Sequence, residues 1–95
     1  MPNLTIIAHL QAAEGKSTEA KAALEAVLSP TRAEAGCIQY DLHQDVKDPH
    51  HFYFYEIWES MEHLQAHAKS AHIKAMGAKT KEIIISSKLN FLTKV

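Results

Sequence analysis

Along this chain the spacing of hydrophobic and polar residues switches repeatedly between the two-residue period of a strand and the 3.6-residue period of a helix. From Asn3 to Gln11 it alternates, with Leu4, Ile6, Ala8 and Leu10 on one side and Thr5, Ile7, His9 and Gln11 on the other. Gly15 marks a turn. From Ser17 the spacing becomes helical: Ala20, Ala23, Leu24, Val27 and Leu28 form one apolar stripe, while Glu19, Lys21 and Glu25 stay wet. This pattern predicts a helix over 17–34. Pro30 either kinks it or opens a second short turn as a first helical residue, and Gly36 closes it as a left-handed cap.

Alternation returns from Cys37 to Asp45, with Ile38, Tyr40 and Leu42 opposed to Gln39, Asp41 and His43. Lys47-Asp48-Pro49-His50 is turn chemistry, so this strand and the next should form an antiparallel hairpin. The expected register sets Leu42 opposite Phe54, Tyr40 opposite Glu56 and Ile38 opposite Trp58. The next strand is aromatic, with Phe52, Phe54, Glu56 and Trp58 on one face and Tyr53, Tyr55 and Ile57 on the other. At Ser60 the period changes again. Ser60 suits a helix N-cap, Glu62 falls where the helix dipole favours a carboxylate, and Met61, Leu64, Ala68 and Ala71 follow at helical spacing. Ser70 can cap a further segment through Ile73, Met76 and Ile83, with Gly77 a soft spot inside it. Leu89, Phe91, Thr93 and Val95 alternate at the end.

The expected strands are therefore 3–11, 37–46, 51–59 and 85–94, and the expected helices 17–34 and 60–80. The order strand, helix, strand, strand, helix, strand is that of a ferredoxin-like split βαβ: an α+β fold with a four-stranded antiparallel sheet and helices on one face. One domain should span 1–95.

Charge and composition narrow the partners. The net charge is −1 with His neutral, and no Lys/Arg block offers a track for phosphates, so nucleic acid is not an expected partner. Neither a basic n-region nor a long apolar run is present, so neither a signal peptide nor a membrane span is expected. Cys37 is the only cysteine. It has no internal disulfide partner, which fits a reducing cytoplasm. With 95 residues the core is small, so association would help stability. The face carrying Tyr53, Tyr55 and Ile57 with Gln39, Asp41 and His43 mixes aromatic and polar groups, either as a homodimer interface or as a solvated sheet face.

Candidate chemistry gathers where the aromatic strand runs into its helix, around Trp58, His63, His67 and His72. Trp58 also suits a plain core position. Glu56 shares the face of Phe54 and Trp58, where a carboxylate is costly unless paired or protonated. It either hydrogen-bonds Tyr40 or a helix N-terminus, or serves as an acid/base group. His63 and His67 lie one helical turn apart, a spacing that also suits a metal, but no third ligand is recognisable in the sequence and no metal is expected. On one continuous helix His67 and His72 would flank the apolar face. There they either border the space beside Trp58, where an imidazole suits a general base, or merely cap chain ends. His9, His43, His50 and His51 read as surface or interface residues.

The runs YDLHQD, DPHHFYFYEIWES and LQAHAKSAHIKAM together resemble the antibiotic biosynthesis monooxygenase domain, a family of small dimeric ferredoxin-like proteins that includes quinol monooxygenases. The family pattern has a Gly-Cys at the second strand, a Glu-x-Trp-x-Ser strand end, a Leu-x-x-His helix and a second His five residues on. Here these are Gly36-Cys37, Glu56 to Ser60, Leu64 to His67, and His72. The resemblance covers nearly the whole chain. It implies oxidation of a small electron-rich aromatic such as a quinol by molecular oxygen without a cofactor. His67, His72 and Trp58 would act in catalysis, and Glu56, Phe54, Tyr40 and His63 would bind substrate. Phe54 stands where the monooxygenase branch has a polar amide. The haem-degrading branch needs residues that are Ala8 and Gly77 here. A third branch, which isomerises or degrades small phosphorylated signalling ketones, shares the aromatic strand and the histidine pair. A non-catalytic small-molecule binding module would use the same cavity.

Overall fold

The computed structural model describes residues 3–95; Met1 and Pro2, where a leader would begin, lie outside them. Eight elements follow one another: β1 (Leu4–Ala12), α1 (Ser17–Glu25), α2 (Leu28–Arg32), β2 (Cys37–Gln44), β3 (His51–Trp58), α3 (Met61–Ala68), α4 (Ala71–Thr80) and β4 (Ile84–Leu92). The strands form one antiparallel sheet in the order β2-β3-β1-β4. This is the ferredoxin-like arrangement, with both expected helices broken in two.

The alternation works as the pattern implies. Ile6, Ala8, Phe52, Phe54 and Trp58 are buried on the helix-facing side and pack with Ala20, Leu24, Val27, Tyr40 and Leu64. Burying a Leu, Ile or Phe side chain contributes about 1.5–3 kcal/mol, so this small set supplies most of the drive for one layer to cover the other. β1 is central, pairing Ala8 with Phe54 on one side and with Leu89 on the other.

The hairpin register matches the expected pairs Leu42–Phe54 and Tyr40–Glu56, then departs from it. Gln39 faces Ile57 and Cys37 faces Trp58, so Ile38 is an extra residue in a bulge. It turns outward and is 50% exposed rather than sitting over Trp58. A bulge inserts one unpaired residue and leaves the alternation on either side intact. β4 carries a second bulge at Ile85, where Gln11 pairs with Ser86 and Ala12 with Ile84.

The first helical stretch breaks at Ala26–Val27, where Val27 N–H turns back to Leu24 O. Pro30 is the third residue of α2, not its first. Its missing N–H still belongs to the first turn, which leaves those donors unpaired in any helix. Gly36 does have positive φ (+82°), but it lies in the turn beyond α2, not at the helix end. The second stretch breaks at Lys69–Ser70. There Ser70 is extended (φ −67°, ψ 155°) and its Oγ donates to His67 O at 2.7 Å. No helix among the described residues is long and apolar enough to cross a membrane.

Candidate active site

Ser60 begins α3 as the sequence suggests, its Oγ accepting the His63 N–H at 3.2 Å. With the helix start fixed, the buried face of α3 is Leu64 and His67, and Ala68 is exposed. His67 lies over the sheet, its ring centre 4.7 Å from that of Trp58 and edge-on to Tyr40 at 5.4 Å. Tyr40 in turn stacks on Phe54 at 4.9 Å.

Beside this aromatic group opens a cleft of about 420 Å³. β1, β3 and β4, with Tyr40 of β2, form its floor and α3 and α4 its roof. Ile6, Leu64, Ile73, Met76, Leu89 and Phe91 make it apolar, and Tyr40, Phe54, Glu56 and His67 also line it. Leu89 and Phe91 lie on the helix side of edge strand β4 yet remain half-exposed, so the mouth lies there.

Of the residues singled out from sequence, Tyr40, Phe54, Glu56 and His67 therefore reach one cleft. Trp58 does not line it; fully buried, it lies behind Glu56 and His67. Its Nε1 donates to Glu56 Oε1 at 3.0 Å, so the carboxyl pairs with the indole rather than with Tyr40 or a helix N-terminus. His63 is also outside the cleft. Its Nδ1 meets Ser60 Oγ at 2.8 Å, and its ring sits over Gly36, where any Cβ would collide with it. His72 does not line the cleft either, because the break at Ser70 ends the continuous helix on which the two histidines would have shared it.

Glu34, absent from any sequence motif, joins His67 to His72. Its Oε2 lies 2.7 Å from His67 Nδ1 and 2.8 Å from His72 Nε2. An ionised carboxylate only accepts, so each of these nitrogens carries its proton toward Glu34. In neutral His67 the lone pair then belongs to Nε2. That atom and the second oxygen of Glu56 have no protein partner among the described residues. Neither is sealed off, since Thr31 Oγ1 is the one buried side-chain polar atom there without a partner.

Burial raises the Glu56 carboxyl to about 7 against an ordinary 4.5; the Trp58 hydrogen bond opposes this shift and the Glu34 charge adds to it. Desolvation, reinforced by the Glu56 charge, also pushes the Tyr40 phenol up. The cleft thus offers the His67 imidazole, a carboxyl poised near neutrality between its two forms, and a neutral phenol, on mostly hydrocarbon walls.

Residues 3–79 match the family described as antibiotic biosynthesis monooxygenase. The chain belongs to that family. Its fold superposes on the crystal structure of a Pseudomonas aeruginosa protein with a TM-score of 0.97 at 36% identity, covering all of this chain and 96% of that one. YcnE of Bacillus subtilis (strain 168), whose name carries the word monooxygenase, is 27% identical over 81 residues, or 85% of each chain. A Synechocystis protein is 22% identical over 81 residues, which amount to 85% of this chain but 55% of its own length. The family match runs from β1 into α4 and so contains Tyr40, Glu56, His67 and the rest of the Glu34 cluster, while Ser87 and Lys88 on the β4 side of the cleft lie beyond it.

Proposed function

We propose that this family member is a monooxygenase that oxidises a small, flat, electron-rich aromatic of the quinol class with molecular oxygen, and that it acts as a homodimer without an organic cofactor. The observation that carries the reading is His67 Nε2, an acceptor held by Glu34 on its far nitrogen and presented to an apolar cleft. A general base has to reach the proton it removes directly or through one water, and Nε2 is the His67 nitrogen that Glu34 leaves free. A volume of about 420 Å³ suits a molecule of one or two rings.

In the proposed sequence His67 Nε2 takes a phenolic proton, and the phenolate gives one electron to oxygen. The resulting radical pair joins as a carbon-bound peroxide. Its O–O bond breaks with loss of the ring C–H proton; one oxygen stays as a carbonyl and the other leaves as water. A hydroquinone and one O2 thus become a hydroxyquinone and one water. In this reading protonated Glu56, which lines the cleft, donates toward the departing oxygen. Apolar walls and the Tyr40–Phe54 stack hold the ring flat and keep water from the anion. Trp58 fixes Glu56 rather than touching substrate.

The test is oxygen uptake with a panel of hydroquinones, using ¹⁸O2 to separate enzymatic insertion from autoxidation. One labelled oxygen per hydroxyquinone is expected. His67→Ala should lower kcat about a hundredfold or more, the usual cost of a lost general base, with little change in melting temperature. Glu34→Gln should lower it less, since it removes orientation but not the base. Label incorporation that is independent of His67 would remove it from the role.

A further inference from the structure

We propose that Glu34, His67 and His72 form a binding site for a divalent transition-metal ion of the zinc class, on the side of the His67 ring turned away from the cleft. The sequence suggests a metal pair at His63 and His67 and supplies no third ligand. In the fold the pair is instead His67 and His72, and the third ligand comes from the turn before Gly36. Two imidazole nitrogens and one carboxylate oxygen all lie within 4.8 Å of one another.

The chemistry fits the donor set. Two histidines and a glutamate hold zinc in sites that leave a fourth position open, at about 2.0–2.1 Å from each nitrogen. Cobalt and nickel accept similar donors. Glu34 Oε2 already approaches both nitrogens, at 2.7 and 2.8 Å. An ion enters by replacing the two N–H protons that now bridge these atoms, with a small opening of the cluster. The side chains are 16% (Glu34), 8% (His67) and 22% (His72) exposed, so the site is shielded yet reachable from the His72 side. Ser70, donating to His67 O, fixes the bend that brings His72 across. Because the ligands come from three separate segments, the site exists only in the folded chain, and binding adds to stability.

Occupation has a defined effect on the cleft. An ion on Nδ1 uses the lone pair there and moves the ring proton of His67 to Nε2. The atom facing the cleft then donates instead of accepting. On the function proposed above, the metal switches the base off; the binding itself does not depend on that function.

The experiment uses untagged, chelator-dialysed protein titrated with zinc by calorimetry and with cobalt by visible absorption. We expect one ion per chain, a zinc-dependent rise in melting temperature, and loss of about tenfold to a hundredfold or more in affinity for His72→Gln and Glu34→Gln. His63→Gln should bind as the parent does. Nitrogen-15 spectra of the unmutated protein locate the ion without relying on a variant: His67 Nδ1 and His72 Nε2 should shift together on adding zinc. Absence of binding, or binding that leaves those nitrogens unmoved, overturns the site. Zinc that binds as described but does not slow hydroquinone turnover overturns the switch alone. Binding without any turnover counts against the enzymatic reading while the metal site stands.

Discussion

Glu56 shows how one residue's surroundings set its charge. The residue is 4% exposed, its carboxyl held by the Trp58 indole on one oxygen and without a protein partner on the other. Raised from 4.5 to about 7, it binds its proton more tightly in the folded chain than in the unfolded one. Stability from this group is therefore fully present below about pH 4.5 and is lost as pH rises through about 7. Glu56→Gln keeps an acceptor for Trp58 Nε1 and removes the titration. Denaturant midpoints of parent and variant should lie close together at pH 4.5, and the variant should gain on the parent up to pH 8. A constant difference across that range would mean that burial does not govern this carboxyl. Strand alternation was enough to place Glu56, Phe54, Trp58 and Tyr40 on the inner face. Glu34 was not legible, since it stands in an Ala-Glu-Ala-Gly turn with no period to follow. The partners that make it matter are 33 and 38 residues away.

At the level of elements, the strands were readable because two-residue alternation survives until a bulge, and a single inserted residue such as Ile38 leaves no trace on either side. The helix breaks were harder to see. Neither Ala26–Val27 nor Lys69–Ser70 carries Gly or Pro, so the apolar stripe runs on across them in sequence while the backbone turns. The short turn from α2 into β2 is fixed from outside, by His63 lying over Gly36 and by Glu59 N–H donating to Gly36 O at 2.9 Å. Gly36 and Gly15 both have positive φ, at +82° and +75°, but only Gly36 has a neighbour in the way. Alanine at either position meets the left-handed penalty, about 1–2 kcal/mol. Gly36→Ala should cost more than Gly15→Ala in urea unfolding, because His63 must also leave its hydrogen bond to Ser60. Equal losses would show that the packing of His63 on the turn adds nothing.

For the whole molecule, the order of strands and helices pointed to the sheet and its covered face, and that much follows from pattern alone. What a second chain would cover does not. Tyr55, Leu92 and Ile38 are exposed on one chain, Leu89 and Phe91 are half-exposed at the mouth of the cleft, and Tyr53 is already partly covered by stacking on His9 at 4.5 Å. The homodimer proposed above would cover the outer-face residues among these, Tyr55 and Leu92. Light scattering at micromolar concentration should therefore give about twice the chain's mass, and Tyr55→Ser should shift the protein toward the single chain. A monomer in both cases would return the outer sheet face to solvent. A ribosome delivers these strands in an order that the sheet does not use. β1 and β2 emerge first, but they are not neighbours; each pairs with β3, and the other edge of β1 waits for β4. A nascent chain that stops short of His51 holds two strands and no ladder. With the arrival of β3 both earlier strands gain their partner together, and the sheet begins from its middle rather than from its first residue.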